Sequence, residues 1–494
     1  MISKIFKYSS VVMVAATIAI TGCSKLDNMN RDPTKPTTTQ PQILLTGAQK
    51  SAMDILYSGL QNGYIGMEYA QFWSGNSRTN DAQYNLDEGN NAAFWNTLYT
   101  SALHNLDELV KENNSKTVVP TITNQNGVAL IMKCWIYQML TDTYGNVPYT
   151  DAFQVTSNIT PKYDDAQTVY KSLLDTLQQQ ITAMDEKQAS FTSGDVIYNG
   201  NVAAWKKLAR SLVLRMAIRM ADASPQMAQQ LIEANYLGAF TSNADNAQFQ
   251  YINTAPNKFP YNESEREISE FFVTTTLTDY MKSINDPRLP MYARPAKNSD
   301  TIKGMPYGTA ASDAKRLSPN DYSFPGAAAY SATMPGILMT YSEVEFILAE
   351  AAARGYNVGD AATHYANGVR ASINYWAKLS GISVSESDIA AYLQRVPYTA
   401  ADWRNVIGTQ KWLSLYLQGF QAWFERTRLH FAKPGGSPLF IAPVSGSVDP
   451  SVSMVPYRLT YLKSEATQNA ANYQSAATAI GGDKQGTKLW YNKF

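Results

Sequence analysis

The chain has 494 residues, with 41 Lys and Arg against 41 Asp and Glu, so its formal net charge is zero. A neutral chain without a basic run lacks the positive surface that nucleic-acid binding requires, and this excludes nucleic acid as an expected partner. Charged residues make up 17% of the chain, and Tyr (31) outnumbers Phe (17). The polar surface must therefore come largely from uncharged side chains and from rings with a polar tip.

The N-terminus has the layout of a bacterial lipoprotein signal. Lys4 and Lys7 precede an apolar run at residues 11–20, which is too short for a bilayer core that needs roughly 20 residues. The run ends in Thr-Gly-Cys at Cys23, a pattern similar to the lipobox, in which the cysteine is acylated and the chain is cut before it. Several acyl chains anchor a protein stably. We predict a signal peptide at 1–22 and lipidation at Cys23.

A polar segment rich in Pro and Thr follows, and we predict an extended tether over residues 23–41. Cys134 is the second of two cysteines, so lipidation of Cys23 leaves no intrachain disulfide. Cys134 lies in an apolar helical stretch, which favours a small buried hydrophobe over a reactive thiol. No low-complexity linker interrupts the remainder, and we predict one domain over residues 42–494.

Apolar residues that recur with the period of an amphipathic helix predict helices through the rest of the chain. Asn201 is the expected N-cap of a helix whose apolar residues recur at steps of three and four. Ser342 and Glu345 fit a capping box, and Gly355 fits the C-terminal cap of the same helix. That helix and its successor form a predicted hairpin, and several such hairpins suggest tetratricopeptide-like pairs without a fixed 34-residue period. The fold class is mainly α, with long loops.

Catalytic and metal-binding motifs are not found in the sequence. The histidines, His104, His364 and His430, are scattered and follow no zinc-ligand spacing. The loop at 81–90 is similar to a calcium loop, but Leu86 stands where that loop needs Gly, which favours an ordinary polar loop. An acidic run at 263–270 is interpreted as a solvated segment and not as a glycosidase carboxylate pair. We expect no metal, no cofactor and no enzymatic activity.

Several segments along the whole chain resemble the SusD/RagB-type nutrient-binding lipoproteins of the Bacteroidetes outer membrane, in particular the SusD-like subgroup. Their order and spacing carry the resemblance, since none is a catalytic signature. The segments are NRDP (30–33), LTDTYGNVPYTDAF (140–153), WKKLARSLVLRMAIR (205–219), DPRLPMYARP (286–295), MTYSEVEFILAEAAARG (339–355), QKWLSLYLQGFQAWFERTR (410–428), VPYRLTYLKSEATQNAANY (455–473) and TKLWYNK (487–493).

The resemblance implies a right-handed superhelical scaffold of tetratricopeptide-like helix pairs with an irregular, loop-rich ligand-binding half. It also implies a lipid-anchored position on the outer membrane, facing the cell surface. The implied partner is a SusC-like TonB-dependent β-barrel transporter, over whose mouth the lipoprotein acts as a lid. The implied function is capture of an oligosaccharide nutrient, with an oligopeptide as the alternative. A surface hydrolase and a purely structural lipoprotein are weaker alternatives.

Aromatic residues in Pro- and Gly-rich loops are harder to explain as core than those on helix stripes. We therefore predict that the ligand site is built from loop residues, whereas Trp205, Trp376 and Trp423 pack between helices. The predicted ligand-binding residues are Phe72, Trp73, Arg78, Tyr84, Phe259, Tyr261, Tyr307 and Tyr322.

Overall fold

Helices dominate the chain in this computed structural model, which describes residues 40–75, 78–154, 158–263 and 270–494. The predicted signal peptide, Cys23 and the tether up to residue 39 lie outside these ranges. The longer helices are α1 (Pro41–Leu56), α2 (Glu88–Asn96), α3 (His104–Asn114), α4 (Pro120–Tyr144), α5 (Ala166–Ala183), α6 (Val202–Arg219), α7 (Pro225–Asn235), α8 (Thr275–Ser283), α9 (Tyr341–Ala353), α10 (Ala361–Ser380), α11 (Glu386–Arg395), α12 (Trp403–Ser414), α13 (Gly419–Leu429) and α14 (Ala470–Ala479).

Short elements fill the connections. One-turn helices span Pro260–Glu263, Leu289–Tyr292, Ala311–Ala314 and Glu465–Gln468, and π-helical segments span Gly59–Met67 and Thr97–Leu103. The strands are β1 (Trp73–Gly75), β2 (Ala247–Phe249), β3 (Phe271–Val273) and β4 (Gly336–Met339). They form two antiparallel pairs, β1 with β3 and β2 with β4.

Two of the predicted helix-end features, at Asn201 and Gly355, agree with the structure, and two, at Ser342 and Pro41, are corrected by it. The Asn201 side chain accepts a hydrogen bond from the Ala204 amide (3.1 Å), which confirms the predicted cap of α6. Gly355 has φ +87° just past α9, as a helix C-terminal cap requires. The capping box predicted at Ser342 is wrong, because Thr340 is the N-cap of α9 and Ser342 donates instead to the Gly368 carbonyl of α10. Helix α1 begins at Pro41, the last residue of the predicted tether.

Helix pairs build the scaffold as predicted. Helix α9 packs on α10, α4 on α5, α5 on α6 and α6 on α7, so neighbours in sequence are neighbours in space. The rings of Trp205, Trp376 and Trp423 are buried in this core, which confirms their assignment to helix packing. Cys134 is also buried, and burial raises the pKa of its thiol to about 12, as expected for an inert side chain.

A buried network of charges ties these helix pairs together. Its members come from α4, α6, α9, α12 and α13, and their side chains are at most 2% exposed. Glu425 of α13 lies at its centre, within ion-pair distance of three cations. The network comprises Asp142, Arg215, Arg219, Glu343, Glu350, Lys411, Glu425 and Arg428.

His364 of α10 is expected to make stability depend on pH. Both ring nitrogens face acceptors, Nδ1 at 2.7 Å from Glu345 Oε2 and Nε2 at 3.0 Å from the Val358 carbonyl, so the protonated ring satisfies both. Burial lowers the His364 pKa, but the bonds to Glu345 and Val358 outweigh it and the pKa is raised above 6.5.

A group whose pKa rises on folding stabilises the fold below its unfolded pKa, and this contribution is lost as pH rises through the folded value. The free energy of unfolding should therefore fall as pH rises above the unfolded His364 pKa of about 6.5 and through the folded value. Urea titrations at several pH values measure this slope. His364→Gln should remove it and the exposed His104→Gln should keep it; an unchanged slope in His364→Gln would contradict the assignment.

Candidate functional site

The β1–β3 pair lies beneath a surface rich in rings and guanidinium groups. Trp73 and Phe271 lie on one face of this short ladder and Phe272 lies on the other, so aromatic side chains leave both faces. The half-buried side chains around it form what we call the β-pair surface: Arg78, Arg294, Tyr322, Phe324 and Tyr330. Residues 76–77 and 264–269, which adjoin it in sequence, lie outside the described ranges.

One side of the ladder is a packed aromatic cluster that supports Arg78. The Trp73 ring lies 5.3 Å from Tyr261 and 5.2 Å from Phe271, and its Nε1 donates to Tyr416 Oη at 2.9 Å. The Tyr64 ring lies 4.7 Å from Phe271, and the Arg78 guanidinium lies 5.0 Å above Tyr64. Arg78 is thus held on an aromatic face at the boundary with solvent.

The other side carries the 319–330 loop. Phe324 stacks on Phe272 of β3 with ring centroids 4.7 Å apart. The Arg294 guanidinium lies 5.7 Å from the Phe324 ring and 5.8 Å from the Tyr330 ring, and its Nε donates to the Pro325 carbonyl at 2.9 Å. The Tyr330 ring contacts Tyr261 at 6.2 Å, so ring contacts run without a break from Phe324 and Arg294 to Arg78.

Two carboxylates compensate the charge of Arg78 at this surface. Asp81 Oδ2 lies 2.6 Å from its Nε and Asp87 Oδ2 lies 3.6 Å from its Nη2. Glu68 is fully buried beneath it, and burial, then the Asp81 charge, raises the pKa of its carboxyl well above the usual range. Glu68 therefore compensates the charge of Arg78 less than a carboxyl with an ordinary pKa would.

Three polar atoms at this surface lack a hydrogen-bond partner within the described part of the chain. They are Tyr261 Oη, Tyr330 Oη and Arg294 Nη2, and all three are buried. Buried polar atoms usually have partners. Arg294 and Tyr330 have half-buried side chains and can offer these groups to a ligand or to water, whereas the buried Tyr261 can offer its hydroxyl only to a buried water.

Six of the eight predicted ligand-binding residues do not lie at the surface. Their rings are at most 2% exposed: Phe72, Trp73, Tyr84, Phe259, Tyr261 and Tyr307. The expectation that loop aromatics escape the core is wrong for them, because distant helices and loops cover them. Phe72, for example, stacks on Trp412 of α12. A ligand arriving from solvent does not reach these rings in this conformation.

Two of the predicted residues, Arg78 and Tyr322, are half-buried and lie on the two sides of the β-pair surface. Sequence reasoning missed Arg294, Phe324 and Tyr330. Phe324 follows Tyr322 by two residues in the NDYSFPG loop, so the signal that selected Tyr322 applied to it equally. Nothing in the sequence marked Arg294 as a ligand-binding residue, because an arginine in a loop flanked by proline is common.

The arrangement is suited to binding and offers no recognisable catalytic constellation. Glu270 accepts a hydrogen bond from Tyr64 Oη at 2.5 Å, while Glu265 and Glu267 of the acidic run lie outside the described ranges. Over the ranges that the structure covers, no group of three or more His, Cys, Asp or Glu side chains is placed to hold a metal ion. Asp81, in the loop similar to a calcium loop, is buried and pairs with Arg78.

This fold and this site define the class of protein: its members have a mainly helical scaffold that carries a loop-built surface of rings and guanidinium groups. The chain belongs to the SusD-like family, whose model matches residues 33–461 and is described as starch-binding and associating with the outer membrane. Members of this family are binding proteins. A search of curated proteins returned no match.

Solved structures support the same fold over nearly the whole chain. A chitin-binding protein is 28% identical, with a TM-score of 0.83, and the match covers 92% of this chain and all of that one. A chitin-binding SusD homologue from Flavobacterium johnsoniae is 21% identical, with a TM-score of 0.78 and coverage of 91% and 98%. A SusD homologue from Bacteroides fragilis is 22% identical, with a TM-score of 0.78 and coverage of 92% and 100%. These matches confirm the predicted mainly α, tetratricopeptide-like fold.

In the ranges that the structure describes, every helix is too short or too polar to cross a bilayer.

Proposed function

We propose that this protein is a non-catalytic, lipid-anchored receptor of the outer membrane, facing the cell surface. It binds an oligosaccharide nutrient at the β-pair surface and delivers it to a SusC-like TonB-dependent transporter. The observation that carries the proposal is the match along the full length of a chitin-binding protein at 28% identity. The family description, starch-binding and associating with the outer membrane, supports the same reading.

The chemistry of the β-pair surface suits a glycan. Sugar rings present apolar C–H faces that pack on aromatic rings, and their hydroxyls pair with guanidinium and phenol groups. Tyr322, Phe324 and Tyr330 supply half-buried rings, and Arg78 and Arg294 supply donors on the two sides of the ladder. A glycan lying across these groups would also pair with the Arg294 and Tyr330 atoms that now lack partners.

Calorimetric titration of the full-length protein in detergent tests the ligand class. The titrants are chito-oligosaccharides, malto-oligosaccharides and a defined oligopeptide pool. We expect saturable binding of one glycan class, weakened by Tyr330→Ala and unchanged by Tyr236→Ala, a half-buried control in the turn after α7. Binding of peptides alone would show that the ligand is a peptide and not a glycan. Turnover of any titrant would identify a hydrolase.

The delivery step predicts a stable complex with a barrel. Affinity purification of the full-length protein from outer membranes should retain a TonB-dependent barrel in stoichiometric amount. Recovery of the protein alone under mild detergent would contradict this part of the proposal and leave glycan binding untouched.

Lipidation at Cys23 predicts a clear change in location. Cys23→Ala removes the acylated sulfur, so the variant should leave the membrane fraction and appear in the soluble fraction, measured by fractionation and immunoblotting. Cys134→Ala is the matched control, since that thiol is buried in the core and the variant should stay with the membrane. Membrane retention of Cys23→Ala would contradict the lipid anchor.

A further inference from the structure

A cavity separate from the β-pair surface opens where α8 ends. Its volume is about 540 Å³, within the range of roughly 300–1,000 Å³ typical of small-molecule sites. Helix α8 begins directly after β3 and leads away from the ladder to the cavity, which is lined by Tyr280, Ser283 and Ile284 at the far end of this helix. The walls come from α8, α10, α12, the end of α11 and the turn at 433–437; we call it the α8 cavity.

The charged groups that line the α8 cavity carry a net positive charge. They are Arg395, Lys433 and Asp402. The Asp402 carboxylate is engaged by the protein itself, since it accepts from Asn405 Nδ2 at 2.6 Å and from the Gly435 amide at 2.8 Å. It therefore does not neutralise the two cations by direct pairing.

Both cations keep donors available. The Lys433 ammonium has no hydrogen-bond or ion-pair partner in the described ranges of the chain, although its backbone is fixed in a turn by Ser437 and Gly436. Arg395 spends two of its N–H groups on the carbonyls of Ile284 and Asn285, each at 3.3 Å. A guanidinium has five N–H groups, so three remain.

A third polar group lies deeper in the cavity. Tyr280 is 3% exposed, and its Oη lies beside the Thr409 side chain without a hydrogen bond of ordinary geometry in the described part of the chain. Burial raises the Tyr280 pKa to about 12, so the phenol is neutral and able to donate. A buried hydroxyl on a cavity wall that lacks a hydrogen bond of ordinary geometry can turn toward a ligand or a water molecule.

The floor of the cavity is rigid and offers little more hydrogen bonding. Gln410 accepts from Arg288 Nη2 at 2.7 Å and donates to Tyr392 Oη at 2.8 Å, so its amide is occupied from below. Tyr365 donates to the Val396 carbonyl at 2.8 Å, which occupies its hydroxyl. The remaining walls combine aliphatic and aromatic side chains with the hydroxyl residues Ser283, Thr399, Thr409 and Ser437. Among the lining groups, Arg395 and Lys433 are the ones that favour an anion.

We propose that the α8 cavity binds a small hydroxylated carboxylate, a sugar acid of one or two rings. The carboxylate would lie between Arg395 and Lys433, a hydroxyl would face Tyr280, and the ring would contact the apolar walls. Such charge-assisted hydrogen bonds are about twice as strong as neutral ones, so charge dominates selectivity. The proposal is independent of oligosaccharide binding at the β-pair surface.

Titration of the full-length protein with D-glucuronate and D-galacturonate, and with D-glucose as the neutral analogue, tests this inference. We expect saturable binding of at least one sugar acid and binding of glucose weaker by about tenfold or more. Lys433→Gln should weaken sugar-acid binding by about tenfold, whereas Lys378→Gln, an exposed site on α10 with the same change in charge, should not. Tyr280→Phe should weaken it by about fivefold and leave the circular dichroism spectrum unchanged.

Three results would overturn the proposal: no saturable binding of either sugar acid by folded protein, equal affinity for glucose, or equal effects of Lys433→Gln and Lys378→Gln. Oligosaccharide titrations of the same variants keep the two proposals distinct. Lys433→Gln should leave oligosaccharide affinity unchanged, since Lys433 lies at the α8 cavity. Failure of sugar-acid binding with oligosaccharide binding intact would reject only the α8 site.

Discussion

Glu425→Gln is expected to lower the free energy of unfolding by about 3–5 kcal/mol, the usual cost of removing one partner from a buried charge cluster. The Glu425 carboxylate lies 2.6 Å from Arg428, 3.0 Å from Lys411 and 3.2 Å from Arg219, and its side chain is 2% exposed. Glutamine keeps the shape and removes the charge. Lys411 then loses the carboxylate with which it pairs, while Arg219 keeps only Asp142 and Arg428 keeps only Glu350. Urea denaturation of the full-length protein measures the change.

The matched control is Glu386→Gln, which removes a carboxylate that is 66% exposed and pairs with Arg370 at 3.1 Å. Exposed pairs contribute less than about 1 kcal/mol, so this variant should remain close to the wild type. Equal destabilisation by the two substitutions would show that the buried cluster does not hold α6, α12 and α13 together.

The same carboxylate should shape acid stability. Burial raises the Glu425 pKa, but Arg428, then Lys411 and Arg219, outweigh it and lower the pKa well below its usual range. A lowered pKa contributes stability above the unfolded value, near 4.5, and the contribution is lost as pH falls through the folded value. Below about pH 4 the difference in stability between the wild type and Glu425→Gln should therefore shrink.

Trp73→Ala is expected to cost about 3–5 kcal/mol of stability, because its ring is fully buried and lies at the centre of the aromatic cluster. The substitution opens a cavity beside Tyr261 and Phe271 and removes the hydrogen bond to Tyr416 Oη. Chemical denaturation measures the loss. Any decrease in glycan binding by this variant should be proportional to the decrease in the fraction of folded protein.

Tyr322→Ala is the paired experiment on the same surface. Tyr322 is half-buried, with Lys303 5.0 Å above its ring, so truncation should cost less than about 1 kcal/mol. Oligosaccharide affinity should fall by about tenfold, as for an aromatic contact residue. A stable Trp73→Ala that loses glycan binding, with Tyr322→Ala unaffected, would place the ligand at the buried members of the predicted set and reject the β-pair surface.

The sequence alone predicted the features that depend on nearby residues. Apolar residues at steps of three and four predicted the helices, because one face of each helix must be buried. Asn201 and Gly355 marked helix ends, since caps satisfy backbone groups within a single turn. The family resemblance, confirmed by the match to residues 33–461, also rests on segments read in order along the chain.

Only the tertiary structure decided which loop aromatics are core. Phe72 stacks on Trp412 with centroids 4.8 Å apart, and the Tyr84 hydroxyl donates to the Met454 carbonyl. These partners lie more than 300 residues away in the chain, and local composition carries no signal for them. Burial of a loop side chain depends on which distant segment covers it, whereas helix periodicity is set within a few residues, so the sequence predicted the scaffold and the fold determined the surface.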